Sequence, residues 1–168
     1  MPEDMSYSKM SHQLLQQLPK GAFLTVKAGD KVNTMTIGWG SIGFIWGRPI
    51  FMVMVRYSRY THELIQEAED FTVSVPLQTN MKKSLAAAGS KTGRGIDKFA
   101  ACNLSTRSAR KVKSPVIDGC ELFYECRMVY KQAMECKNLD PSIQSRWYKD
   151  GDEHVLYFGE IVACYQQN

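Results

Sequence analysis

The 168-residue sequence contains no close cysteine pair, only three histidines and no long apolar run. Cys102, Cys120, Cys126, Cys136 and Cys164 are odd in number, and no two stand in a CxxC spacing. Zinc sites and redox dithiols usually show that spacing and a secreted disulfide framework needs an even set, so mostly buried free thiols and no metal site are expected. No apolar stretch approaches the roughly 20 residues of a membrane-spanning helix, so no membrane partner is expected. The N-terminus MPEDMSYSKM has neither the charged n-region nor the apolar h-region of a secretory signal, which sets a cytoplasmic expectation. Repeats, low-complexity tracts and linkers are missing too, so one domain over 1–168 is expected, with residues 1–20 as an N-terminal helical segment. His12, His62 and His154 form no Ser-His-Asp or Cys-His arrangement that would argue for an independent nucleophile.

What is present is strand pattern and unevenly placed charge. Ala22 to Ala28, Val32 to Ile37, Pro49 to Val55 and Phe71 to Val75 read as strands, with a hairpin at the Gly29-Asp30 turn between the first two. Two long alternating runs follow, Leu122 to Tyr130 and His154 to Tyr165. In the first, Leu122, Tyr124, Cys126, Met128 and Tyr130 share a face opposite Phe123, Glu125, Arg127 and Val129. Short helices are expected over Tyr7 to Leu18, with Met10, Leu14, Leu15 and Leu18 close to one face, and over Thr61 to Ala68. A third, Met81 to Ala88, would be capped by Asn80 and closed by Gly89. Strands dominate and do not alternate with long helices, which favours an antiparallel barrel over a doubly wound sheet. The net charge of +4 is concentrated between Lys91 and Lys113. That run suits a phosphate-bearing small molecule or a nucleic acid, and is also compatible with an ordinary solvated loop.

Gly38-Trp39-Gly40-Ser41-Ile42-Gly43 matches the GxGxxG dinucleotide fingerprint. The fingerprint works only where a strand feeds a helix, and Gly47 and Pro49 prevent a helix from continuing here. These glycines are better read as places where a ligand or another chain approaches bare backbone. The stretch Val55 to Ile65 is more informative. A strand ends in Arg56, Ser58, Arg59, Tyr60 and Thr61, and a helix follows at once. Two guanidinium groups, neutral donors, a helix start and Thr61 as a potential N-cap make a turn suited to a phosphate. A solvated strand-to-helix connection with two surface arginines has the same composition.

Five segments, in order, resemble the flavin reductase-like family, which includes flavoredoxin and the FMN-binding split β-barrels. They are Asn33 to Gly40, Arg48-Pro49 with Val55 to Thr61, Thr72 to Pro76, Gly93 to Phe99, and His154 to Val162. The resemblance covers roughly Gly21 to Ala163. It implies a mainly β, antiparallel, Greek-key-like split barrel and a homodimer that binds FMN non-covalently. Carried over by position, Met35, Thr36, Ile37, Gly38 and Trp39 would line the flavin ring. Arg56, Ser58, Arg59, Tyr60 and Thr61 would hold the ribityl phosphate, and Lys98 would add charge there. His154 is the candidate catalytic residue on the nicotinamide or acceptor side, although a surface histidine in a turn fits its neighbours equally. His62 reads as structural or phosphate-adjacent. The sequence departs from the family's pattern at Thr92-Gly93-Arg94-Gly95, where an acid is common after the arginine, and in a longer polar stretch between Lys137 and Glu153.

The expected function is an FMN-dependent oxidoreductase that uses NADH or NADPH to reduce flavin or another acceptor. The alternatives are an FMN electron carrier serving a redox partner protein without its own pyridine nucleotide reaction and, less favoured, a nucleic-acid-binding barrel using Lys91 to Lys113.

Overall fold

The computed structural model describes residues 6–167; the first half of the MPEDMSYSKM segment lies outside them. The chain begins with α1 (Ser11–Gln17) and a 3-10 turn (Leu18–Lys20), then β1 (Ala22–Ala28), β2 (Lys31–Ile37), β3 (Gly40–Ile45) and β4 (Arg48–Arg56). Next come α2 (Tyr60–Ile65), β5 (Asp70–Val75), α3 (Lys82–Ser90) and α4 (Lys98–Ala101). The short pair β6 (Thr106–Arg107) and β7 (Val116–Ile117), the long β8 (Leu122–Ala133), a 3-10 turn (Cys136–Asn138), α5 (Pro141–Trp147) and β9 (His154–Gln166) complete it. Seven strands form one antiparallel sheet in the order β2-β1-β5-β8-β9-β4-β3. This is the strand-dominated antiparallel barrel that the alternation implied.

Alternation places two cores on the two faces of the central strands. Leu24, Val26, Val73, Val75, Leu122 and Tyr124 point into the main core with Phe51, Val53, Val55 and Tyr157. Their neighbours Phe23, Phe123, Ala163 and Tyr165 point the other way, under Leu85 and Ala88 of α3 and Val116 and Ile117 of β7. Each large side chain buried in this way contributes about 2 kcal/mol. Covering both faces explains why β5 is buried along its whole length rather than alternating with solvent. The same holds for Leu122 to Cys126 of β8, where both of the opposite faces are interior.

Several boundaries differ from the sequence reading for local reasons. The first helix starts at Ser11, and Leu15 is exposed while Met10, Leu14 and Leu18 are buried. The α3 helix starts at Lys82 and runs through Gly89 to Ser90 instead of spanning Met81 to Ala88, and Asn80 is not its N-cap: Met81 holds that position, with Asn80 Oδ1 only accepting from the Lys82 amide at 3.2 Å. The glycine-rich Gly40–Ile45 segment is an edge strand, not a loop. It turns into β4 through Trp46 and Gly47, whose φ values of 55° and 67° match the two-residue hairpin that follows strand twist. No helix follows the GxGxxG match, so the dinucleotide fingerprint is absent as a structure.

Candidate functional site

β2 and the β3–β4 hairpin lie at opposite ends of the strand order, yet residues from both line one cleft. The sheet therefore curls until its ends face each other, and the site occupies that gap. Two adjoining lobes share Met35, Arg56 and Arg59.

The first lobe, about 180 Å³, is lined by Met35, Thr36 and Ile37 from the end of β2, then by Gly38 and Trp39. Met54 and Arg56 of β4, Arg59, Trp147 and His154 close it. Because β2 ends the strand order, half of its backbone N–H and C=O groups are unpaired by any strand, and its last residues, Met35 to Ile37, line the lobe. Trp39 and Trp147 meet edge to face with ring centroids 4.8 Å apart, and the His154 ring lies 5.4 Å from Trp39. His154 is buried, not a surface residue in a turn. Burial, reinforced by the Arg56 cation, pushes its pKa down to about 4, so the ring is neutral at pH 7. Its Nδ1 lies 2.6 Å from the Tyr148 hydroxyl, whose other contact is the weak acceptor Met134 Sδ at 3.4 Å. The imidazole is the better acceptor, so Tyr148 donates to Nδ1 and the ring hydrogen resides on Nε2.

The second lobe, about 200 Å³, is polar. Ser58, Arg59, Tyr60 and Thr61 supply one wall, Ser90, Lys91, Thr92 and Arg94 another, with Asn33, Lys98 and Asp152 completing it. Lys98 enters because Asp97 caps α4, accepting from the Phe99 and Ala100 amides at 3.1 and 3.3 Å. The Lys98 side chain is buried, and its ammonium has no hydrogen bond or ion pair among the described residues. Burial pushes its pKa down to about 8, with Arg59 acting in the same direction. Gly93 is required by close approach: a Cβ there would run into Asn33 Oδ1 and the Tyr60 ring. This packing brings the basic loop against the turn.

Every candidate ring, phosphate and catalytic residue lines one lobe or the other, while His62, Gly40 and Gly43 line neither, and several of the lining residues are already engaged. Arg56 Nη1 donates to the Asp152 carbonyl at 2.7 Å and Nη2 to the Trp147 carbonyl at 3.2 Å. Arg59 Nη1 donates to the Gly89 carbonyl at 2.7 Å. Ser58 donates its amide and its hydroxyl to Asp152, at 3.0 and 2.6 Å. Thr61 is not the N-cap of α2: Arg59 holds the extended cap position, and buried Thr61 accepts from Asn33 Nδ2 at 2.9 Å. The α2 helix has six residues, so its dipole adds little and the cations define the lobe's charge. His62 is structural, its ring nitrogens held by Gln66 at 2.6 Å and Tyr157 at 3.1 Å. The remaining basic run does not form one patch: Arg107 pairs with Asp118 at 3.1 Å, Lys113 with Glu69 at 2.7 Å, and Arg94 with Glu63.

Sequence reasoning missed Asn33, Met54, Ser90, Tyr148 and Asp152 as site residues and left Trp147 unassigned. The polar stretch 137–153 carried the signal. Asp140 and Pro141 start α5, with Asp140 Oδ1 accepting from the Ser142 amide at 2.8 Å, and the helix delivers Trp147 to the first lobe and Tyr148 to the buried side of His154.

The sequence profile of the Flavin reductase like domain matches residues 17–168. An uncharacterized protein of Archaeoglobus fulgidus is 30% identical over 155 residues, covering 92% of this chain and 77% of that protein. Among solved structures, the flavoredoxin of Methanosarcina acetivorans superposes with a TM-score of 0.67 at 28% identity, over 88% of this chain and 68% of the other. The FMN-binding domain of a flavin reductases-like enzyme from Shewanella baltica reaches a TM-score of 0.73 at 16% identity, over 99% and 77%. With its antiparallel split barrel and a profile match over most of its length, this chain belongs to the family of the flavin reductase like domain.

Proposed function

We propose that the chain binds FMN non-covalently and works as a flavin-dependent oxidoreductase with NADH or NADPH as the electron donor. The observation that carries this reading is Lys98. Its stem is buried while its ammonium, without a protein partner, opens into the polar half of a cleft whose other half is aromatic, so a partly desolvated cation awaits an anion there. An elongated ligand with a flat ring at one end and a phosphate at the other fits those two demands.

The residues fit such a ligand. Lys98 and Arg59 face the phosphate, with Ser58, Tyr60 and Thr61 as neutral neighbours and Arg56 at the junction. Met35, Thr36, Ile37, Gly38 and Trp39 flank the ring. When bound, FMN supplies the hydride and electron chemistry of its ring. The chain's part is placement: free β2 backbone groups orient the ring edge, and Trp39 with Trp147 excludes water. His154, neutral with its hydrogen at Nε2, offers a donor to the acceptor side without adding a charge there.

A second reading, an FMN electron carrier for a redox partner protein, is favoured by one observation. Trp147 packs onto Trp39 at the mouth of the ring lobe and narrows the space for a stacked nicotinamide. The likeness to a flavoredoxin supports the same alternative. We place the homodimer contact on the face where Phe44 is 67% and Trp46 57% exposed, with Trp46 against Tyr130 and Phe158 at 5.8 and 5.9 Å.

The test is reconstitution with FMN followed by anaerobic addition of NADH, then NADPH. Bleaching of the visible flavin band supports the oxidoreductase. Bound flavin that only a chemical reductant bleaches supports the carrier, and a protein that takes up no flavin overturns both readings.

A further inference from the structure

The polar lobe already contains an anion. Among the described residues Asp152 is the one acid lining it, together with the cations Arg56, Arg59, Lys91, Arg94 and Lys98. Its carboxylate accepts the Ser58 amide at 3.0 Å and the Ser58 hydroxyl at 2.6 Å, which are two donors that a phosphate oxygen would use. The backbone holds it in place, because Arg56 Nη1 grips the Asp152 carbonyl at 2.7 Å. Gly151 and Asp152 both have positive φ, 80° and 56°, which bends the segment from α5 back toward the Ser58 turn. An aspartate in this left-handed region is tolerated but uncommon.

We propose that Asp152 is a specificity-determining residue that competes with the flavin phosphate for the Ser58 donors, making FMN an exchangeable ligand rather than a permanently held group. The inference rests on the flavin reading above and deepens it. An incoming phosphate meets Lys98, which has no partner, and Arg59, whose Nη1 alone is committed to the Gly89 carbonyl, but reaches Ser58 only by displacing a carboxylate or by tolerating like charge close by. Retention of a phosphorylated flavin is reduced by that competition. A flavin without a phosphate, such as riboflavin, is indifferent to it.

The test compares FMN and riboflavin binding to the full chain, by fluorescence, for wild type, Asp152→Asn and Asp152→Gly. Asparagine keeps an acceptor for Ser58 without the charge, glycine removes the side chain, and both adopt positive φ readily, so the bend is retained. The expected result is about tenfold tighter FMN binding in both variants, from removal of one like charge at short range in a partly solvated site. The rate of FMN release should fall correspondingly, while riboflavin affinity stays within about twofold. Unchanged or weaker FMN binding in both variants overturns the proposal, as does an equal shift for the two flavins. A wild type that binds neither flavin overturns the flavin reading itself, and the role of Asp152 with it.

Discussion

The two lobes of the cleft are built in opposite ways. The ring lobe stands on sheet: β2 and β4 supply its walls, its aromatic rings are packed on one another, and its one titratable ring is neutral. The polar lobe stands on the turn after β4, the 90–98 loop and the start of a four-residue helix, and it concentrates cations with a single acid. Rigid strands suit shape selection for a flat ligand. Loops carrying an unpartnered ammonium suit capture of an anion that can also leave. Affinity for the charged end and fit for the flat end should therefore break independently.

The largest separation is expected from removing the two cations that face the proposed phosphate. Lys98→Gln with Arg59→Ala should weaken FMN by about a hundredfold or more, at 1.5–3 kcal/mol per charge-assisted contact, and leave riboflavin within a few fold. Equal losses for the two flavins, measured by titration, would mean that the lobes do not divide the ligand as described.

Next is a stability effect confined to the ring lobe. The folded pKa of His154, about 4, lies below its ordinary value of 6.5. Its neutral, buried form is therefore fully compatible with folding above pH 6.5, and stability is lost as pH falls from 6.5 toward 4, by up to about 3 kcal/mol. His154→Gln should flatten that slope in urea unfolding followed across pH.

The polar lobe has its own pH signature. Lys98, with its pKa lowered to about 8, loses its charge as pH rises through 8, so FMN affinity should fall there by up to about tenfold per unit. Riboflavin should show no such slope, and Lys98→Gln should abolish it. The smallest effect is expected from Tyr148→Phe. Loss of the hydrogen bond to Nδ1 should raise the His154 pKa, visible by NMR titration, and cost about 1 kcal/mol of stability.

Much of the sheet was legible because its alternation is bounded by turn residues. Ala22 to Ala28 was read to the residue, flanked by Gly21 and by the Gly29 turn. Gly40–Ile45 escaped because glycines at 40 and 43 look like punctuation, whereas an edge strand tolerates them. The ring and phosphate segments were legible through resemblance, but their meeting was not. That depends on closure of the sheet, which no local spacing records. Thr61 looked like a cap until the structure placed helix entry at Arg59, which frees Thr61 to bond Asn33 instead. Asp152 meets Ser58 across 94 positions, and neither residue's neighbours announce the pairing.

The most direct measurement is a crystal structure of the protein grown with FMN. The ring is expected between Trp39 and the end of β2, with the phosphate within hydrogen-bonding distance of Lys98 Nζ and the Arg59 guanidinium. A phosphate bound elsewhere, with Lys98 still unpartnered, would contradict that placement.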